Sequence, residues 1–318
     1  MTVIDLQNGR RSVSAEELRR QRIAVALGNF DGVHVGHAAL LRTAAAAAAE
    51  SGGKLKSAVW TFSAHPQKEG AAPVLSLTTT EEKLEIFSEY GIDYVILEDF
   101  SAVRHLSPEQ FVADILCRCC NAAVAVCGFN FRFGFHGAGT PETLARELGA
   151  HGGRTIQVPP VFVRNTVVSS TRIRICIESG RMEEAADYLG RPFFIRFPVV
   201  YGNQLGRSIG IPTINQNFPP LHIIPARGIY ACSAEVGGRV YPGVANVGSR
   251  PTVSNEGRIN CETHIIHYSG WLYGAAIKVS FFKKLRDEKK FPSVEALKEA
   301  VKRDIADAAA YFEKQRER

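Results

Sequence analysis

The chain has 318 residues, 45% hydrophobic and 22% charged, with a formal net charge of +6. That length accommodates one large or two medium domains of about 100–150 residues each, with the balance of an ordinary soluble globular protein. No apolar run approaches the roughly 20 residues of a membrane span, the N-terminal stretch has no apolar signal core, and no long basic run marks a nucleic-acid binder.

These exclusions predict a cytoplasmic protein acting on small molecules, without membrane or nucleic-acid partners. Four of the seven cysteines crowd at Cys117, Cys119, Cys120 and Cys127. They lack the paired spacing of a zinc site, so Cys127 is read as a small apolar residue in a buried strand, in a reducing compartment.

Along the chain, short apolar runs at Ile23–Leu27, Ser57–Phe62, Tyr94–Leu97, Ala123–Cys127 and Thr155–Val158 read as strands. They alternate with helical stretches at His37–Glu50, Glu81–Tyr90, Pro108–Cys120 and Thr140–Leu148. Such alternation predicts an α/β unit with a parallel sheet covered on both faces. The alanine run at Ala44–Ala49 is strong helix propensity and close packing. Two short helices follow at Ser170–Ser179 and Met182–Leu189, and composition shifts near Gly190-Arg191-Pro192. Beyond it, β-rich segments at Phe193–Tyr201, Gly228–Val236, Arg239–Val247, Asn260–Tyr268 and Ala275–Phe282 predict a small antiparallel barrel or sandwich. Val294, Leu297, Val301, Ile305 and Phe312 lie at helical spacing behind Ser293, a predicted N-cap. No internal repeat is present.

Two segments carry chemistry. Gly28-Asn29-Phe30-Asp31-Gly32-Val33-His34-Val35-Gly36-His37 leaves a strand and enters a helix, where free N–H groups and the helix dipole attract phosphate. His34 and His37 add imidazole donors there. Ser169-Ser170-Thr171-Arg172 opens another helix, where hydroxyls and a guanidinium would grip a polyphosphate. Between them, Gly128-Phe129-Asn130-Phe131-Arg132-Phe133-Gly134 mixes aromatics with an amide and suits a flat polar ring. In the C-terminal half, a glycine-rich stretch from Gly202 to Gly210 precedes Ile211-Pro212-Thr213-Ile214-Asn215.

The motifs GNFDGVHVGH, GFNFRFG and SSTRIR, with Phe62, His65 and Pro66, resemble those of the bacterial bifunctional riboflavin kinase/FMN adenylyltransferase (FAD synthetase) family, and the likeness runs over nearly the whole chain. The resemblance implies a Rossmann-like nucleotidyltransferase domain over residues 1–184 and a riboflavin kinase barrel with a C-terminal helix over 185–318. The first would adenylylate FMN to FAD with release of pyrophosphate, the second phosphorylate riboflavin to FMN. Gly28, Asn29, Phe30, Asp31, Gly36, Ser170, Thr171 and Arg172 would bind ATP for adenylylation, with His34 and His37 catalytic and Asn130 beside the flavin. In the kinase, Glu262 would be the catalytic base. Thr213 and Asn215 would hold Mg²⁺ and ATP phosphates, Gly206 and Arg207 would lie in a flap over the nucleotide, and Arg286 would sit near the flavin.

Riboflavin, FMN, FAD, ATP and pyrophosphate are the implied partners; a homo-oligomer is not predicted. Two positions depart from the family pattern: Phe197 stands where Gly is usual and Ile214 where Ala is common. Phe197 either narrows the nucleotide edge or fills a strand adapted to it, and adaptation is favoured. Two other readings are carried: adenylylation alone with an impaired, flavin-binding kinase module, or a nonenzymatic flavin-binding regulator. An aminoacyl-tRNA synthetase is excluded because no Lys-Met-Ser-Lys-Ser loop accompanies the His-x-Gly-His sequence.

Overall fold

The computed structural model describes residues 1–6, 13–67, 70, 72–202, 206, 210–249 and 259–316, with side chains 13–15 and 316 left aside. The chain divides into two compact units, Met1–Ser170 and Thr171–Arg318.

The first unit holds six strands: β1 (Thr2–Asp5), β2 (Ile23–Leu27), β3 (Lys56–Phe62), β4 (Tyr94–Glu98), β5 (Ala122–Gly128) and β6 (Arg154–Val158). Their spatial order is β1-β4-β3-β2-β5-β6, and every pairing is parallel. All five residues of β2 are buried, as a strand covered on both faces requires. From β2 the chain moves outward through β3 and β4 on one side, then returns to continue through β5 and β6 on the other. The β2/β5 gap is therefore the switch point, and a crevice opens beyond the carboxyl ends of these two strands. Helix Val35–Ala49 packs on β2, β3 and β5 through Ala38, Ala44, Ala47 and Ala48, whose small side chains permit a close approach. The predicted helix at 108–120 begins with a turn at Pro108–Gln110 and then widens into a π-helix over Phe111–Cys119. Strand β1 and the helix Val13–Arg20 are additions to the sequence reading.

After a two-strand hairpin, β7 (Phe162–Val163) and β8 (Thr166–Val167), the second unit is a closed barrel of six antiparallel strands. These are β9 (Phe193–Val200), β10 (Ile214–Asn217), β11 (Gly228–Val236), β12 (Arg239–Ser249), β13 (Ile259–Ile265) and β14 (Ala276–Arg286). The barrel resolves the choice between barrel and sandwich. Its interior contains Phe193, Tyr230 and Phe281, the last two in edge-to-face contact at 5.5 Å. Outside, Ile229, Ala231 and Val244 pack against Ala308 of the long helix Val294–Arg316. Ser293 caps that helix by accepting from the Ala296 N–H at 3.2 Å. The helices Ser170–Glu178 and Met182–Leu189 end against the same unit: Ala226 N–H donates to Ile177 O, and Met182–Leu189 packs on β9 and β14.

Phe197 points into the barrel. It is 5% exposed and meets His222 edge-on at 5.2 Å and Phe218 at 6.0 Å. Gln216 closes the same end from inside, its Nε2 donating to Phe197 O at 2.7 Å and Ile277 O at 2.8 Å. The aromatic ring thus belongs to the packed interior, and the strand is adapted around it.

Candidate active sites

The loop leaving β2 is a strained turn held from below. Phe30 and Val33 both have positive φ, at 51° and 38°, and Gly32 lies between them at 79°. Left-handed backbone is costly for non-glycine residues, above all a β-branched one, and persists only where the surroundings impose it. Here Asp31, 3% exposed, accepts from the Leu77 N–H through Oδ1 at 2.8 Å. Gly32 N–H donates to Thr78 Oγ1 at 3.1 Å, Thr61 Oγ1 to Asn29 O at 3.0 Å, and Ser170 Oγ to Asp31 O at 2.9 Å. Lys83 donates from Nζ to Phe62 O; burial pulls its ammonium pKa down, and the Asp31 carboxylate opposes that shift. Asp31 therefore shapes the loop, buried beneath it.

Above the turn, His34 N-caps helix Val35–Ala49 by accepting from the His37 N–H at Nδ1, 3.2 Å away. The neutral His34 ring then carries its proton on Nε2. The His34 and His37 rings stack at 3.6 Å and 11°, and Phe30 backs His37 at 5.2 Å. A Cβ on Gly36 would stand 3.1 Å from His34 Cε1, so this glycine makes room for the capping imidazole. The helix has no acidic residue in its first turn, which leaves its positive end uncompensated for an anion.

The crevice between the β2 and β5 loops is a cavity of about 1220 Å³. That exceeds the roughly 300–1000 Å³ of a typical single-ligand pocket, and gives space for two substrates. Gly28, Asn29, His34, Gly36, His37 and Ser170 line one part, and Asn130 with Arg132 another. Trp60, Phe62, Phe111, Phe131 and Phe133 wall it with aromatic rings. Trp60 meets Phe62 and Phe111 edge-on at 5.0 and 5.1 Å. Phe133 is fixed by backbone bonds in both directions with Gly139, where a Cβ would stand 2.6 Å from the ring. Ser170 opens helix Ser170–Glu178, with Thr171 and Arg172 following in its first turn.

On the barrel, Asn215, Glu262 and Asn246 stand in one cross-strand row of β10, β13 and β12. Asn246 registers with Ile229, which packs against the long helix, so the row lies on the barrel's outer face. Asn260, 3% exposed, donates from Nδ2 to Asn215 Oδ1 at 3.1 Å and to Glu262 Oε1 at 3.4 Å. Its two-residue spacing from Glu262 puts both on one side of β13, and sequence reasoning passed over it. Thr213 precedes Asn215 by two residues, beside Pro212, whose carbonyl contacts His264 Nδ1 at 2.8 Å. Two glycines press on this pair: a Cβ on Gly202 would meet Asn215 Cγ at 2.6 Å, and one on Gly206 would meet Thr213 Oγ1 at 3.3 Å. Arg207 lies outside the described residues. Arg286 forms a two-pronged ion pair with Asp304 of the long helix, at 2.8 and 2.6 Å.

Residues 16–172 match the FAD synthetase family model and residues 189–312 the riboflavin kinase model. The bifunctional riboflavin kinase/FMN adenylyltransferase of Bacillus subtilis (strain 168) is 36% identical, over 91% of this chain and 92% of its own. The chain belongs to the bifunctional riboflavin kinase/FMN adenylyltransferase family. Both enzyme modules of that family are present in the one polypeptide. The Escherichia coli (strain K12) member is also 36% identical, over 90% of this chain and 91% of its own. A crystal structure from Streptococcus pneumoniae, described as a macrolide-efflux protein, superposes with a TM-score of 0.80 at 31% identity, covering 96% of this chain and 97% of that one. Among the described residues of this family member, no helix is long and apolar enough to cross a membrane.

Proposed function

We propose that the β2/β5 crevice transfers AMP from ATP to FMN, and that the Asn215–Glu262 face of the barrel phosphorylates riboflavin. The observation that carries the first half is the uncompensated helix end with its stacked His34/His37 pair, set in a cavity wide enough for nucleotide and flavin together. An FMN phosphate oxygen attacks the α-phosphorus of ATP, the bond to the β-phosphate oxygen breaks, and pyrophosphate leaves. The nucleophile is already an anion, so this half needs alignment and charge neutralisation more than a base. Arg172 neutralises phosphate charge, and His34 and His37 hydrogen-bond the phosphates. Gly28, Asn29, Phe30, Asp31, Gly36, Ser170 and Thr171 form or shape the nucleotide cradle, and Asn130 borders the flavin among the aromatic rings.

The kinase nucleophile is a neutral ribityl hydroxyl. Glu262 takes its proton as the hydroxyl oxygen bonds to the γ-phosphorus and ADP departs. Thr213 and Asn215, with Gly206 and Arg207 of the flap, receive the ATP phosphates, and Arg286 orders the flavin side. The Thr213 hydroxyl is a hard oxygen that fits Mg²⁺, and Asn215 Oδ1, which accepts from Asn260 through one lone pair, has a second to offer it. Bound there, Mg²⁺ would neutralise phosphate charge.

We place the module boundary in the stretch between the two matched segments, and the protein in the cytoplasm, where its seven free thiols stay reduced. Incubation with FMN and ATP tests the first half: FAD and pyrophosphate should form in equal amounts, and absence of both would overturn it.

A further inference from the structure

We infer that Asn260 is a positioning residue that sets up the kinase base and the nucleotide amide together; this rests on the reading of Glu262 as the base. A carboxamide nitrogen carries two hydrogens, and both are committed here. One goes to Asn215 Oδ1 at 3.1 Å and the other to Glu262 Oε1 at 3.4 Å. The first fixes which way round the Asn215 amide stands, with its oxygen toward Asn260. The second ties down one oxygen of Glu262 and leaves Oε2 to receive the hydroxyl proton. Asn260 is 3% exposed, so its amide is held by protein in a water-poor place where hydrogen bonds are strong. Directly across on β12 its neighbour is Gly248, where a Cβ would collide with the Glu288 carboxylate, so the glycine makes room for that side chain beside Asn260.

The consequence is a mechanical link between two groups with separate jobs. Glu262 handles the flavin hydroxyl and Asn215 the nucleotide, and one buried amide sets both. Asn260 is assigned to neither substrate, so its loss should appear in the rate of the chemical step and leave riboflavin binding nearly intact.

The test compares Asn260→Leu, similar in size and without a donor, with Asn260→Ser, which keeps a hydroxyl donor. Riboflavin phosphorylation gives kcat, flavin fluorescence gives riboflavin affinity, and Glu262→Gln serves as the reference. A misplaced catalytic group typically costs about 10²-fold, so Asn260→Leu should lose roughly 10- to 100-fold in kcat, with riboflavin affinity within about 3-fold of wild type. Asn260→Ser should regain most of the rate. Wild-type kcat in Asn260→Leu overturns the proposal. So does a rate loss matched by an equal loss of affinity, or a serine variant as slow as the leucine one. Should Asn260→Leu fail to fold, Asn260→Asp, of the same shape and without the donor, takes its place with the same criteria. If Glu262→Gln itself phosphorylates riboflavin normally, the base assignment fails; if it is inactive while Asn260→Leu keeps full rate, only the positioning role fails.

Discussion

Gly36 exists for His34: a Cβ there would crowd the imidazole that caps the helix and accepts from His37. His37 in turn is stacked on that ring and backed by the buried Phe30, so its place is fixed before any phosphate arrives. Replacing His37 with Ala should slow FAD formation while leaving FMN production from riboflavin unchanged, and an unaltered FAD rate would contradict its assignment. Phe197 illustrates the opposite case, a residue whose departure from the family pattern is absorbed by packing. Phe197→Gly should open a cavity beside His222 and Phe218 and cost at least about 3–5 kcal/mol, the usual price of deleting a core phenyl ring. Thermal melting checks that, and a lowered KM for ATP at unchanged stability would count against the interior placement.

Among the elements, those with strong periodicity were legible in the sequence. Ile23–Leu27 and Met182–Leu189 have the predicted limits, because an unbroken apolar run and a capped amphipathic turn each admit one solution. Strand β10, Ile214-Asn215-Gln216-Asn217, was not legible: its outer residues serve the site, and its inward Gln216 donates from Nε2 to two carbonyls, which no hydropathy pattern reveals. Asn260 escaped notice for the same reason, since its partners come from a strand 45 residues away and from its own face. The clamp under the first loop left a readable trace in Thr79-x-x-Glu82, a capping box that both side chains complete. It fixes the start of the helix next to Leu77 and Thr78, which hold Asp31 and Gly32. Thr78→Val would remove the hydrogen bond from the Gly32 N–H to Thr78 Oγ1, at about 0.5–1.5 kcal/mol. Part of that should surface as a raised KM for ATP in adenylylation with the kinase unchanged; equal KM values in variant and wild type would argue that the turn holds itself.

At the scale of the whole molecule, the two halves solve different chemical problems. Adenylylation starts from an anionic nucleophile, whereas phosphorylation must first remove a proton from an alcohol, so a single carboxylate should separate them. Glu262→Gln keeps the shape of the side chain and removes the basic oxygen, and loss of a general base typically costs about 10²–10⁴-fold. The most direct measurement is therefore a chromatographic time course of flavins from riboflavin, ATP and Mg²⁺, run on the wild-type chain and on Glu262→Gln, each also supplied with FMN. Wild type should show FMN rising first and FAD following, while Glu262→Gln should leave riboflavin untouched yet convert supplied FMN to FAD at the wild-type rate. FMN formation by Glu262→Gln at the normal rate would contradict Glu262 as the kinase base, and wild type yielding neither product would contradict two active sites on one chain.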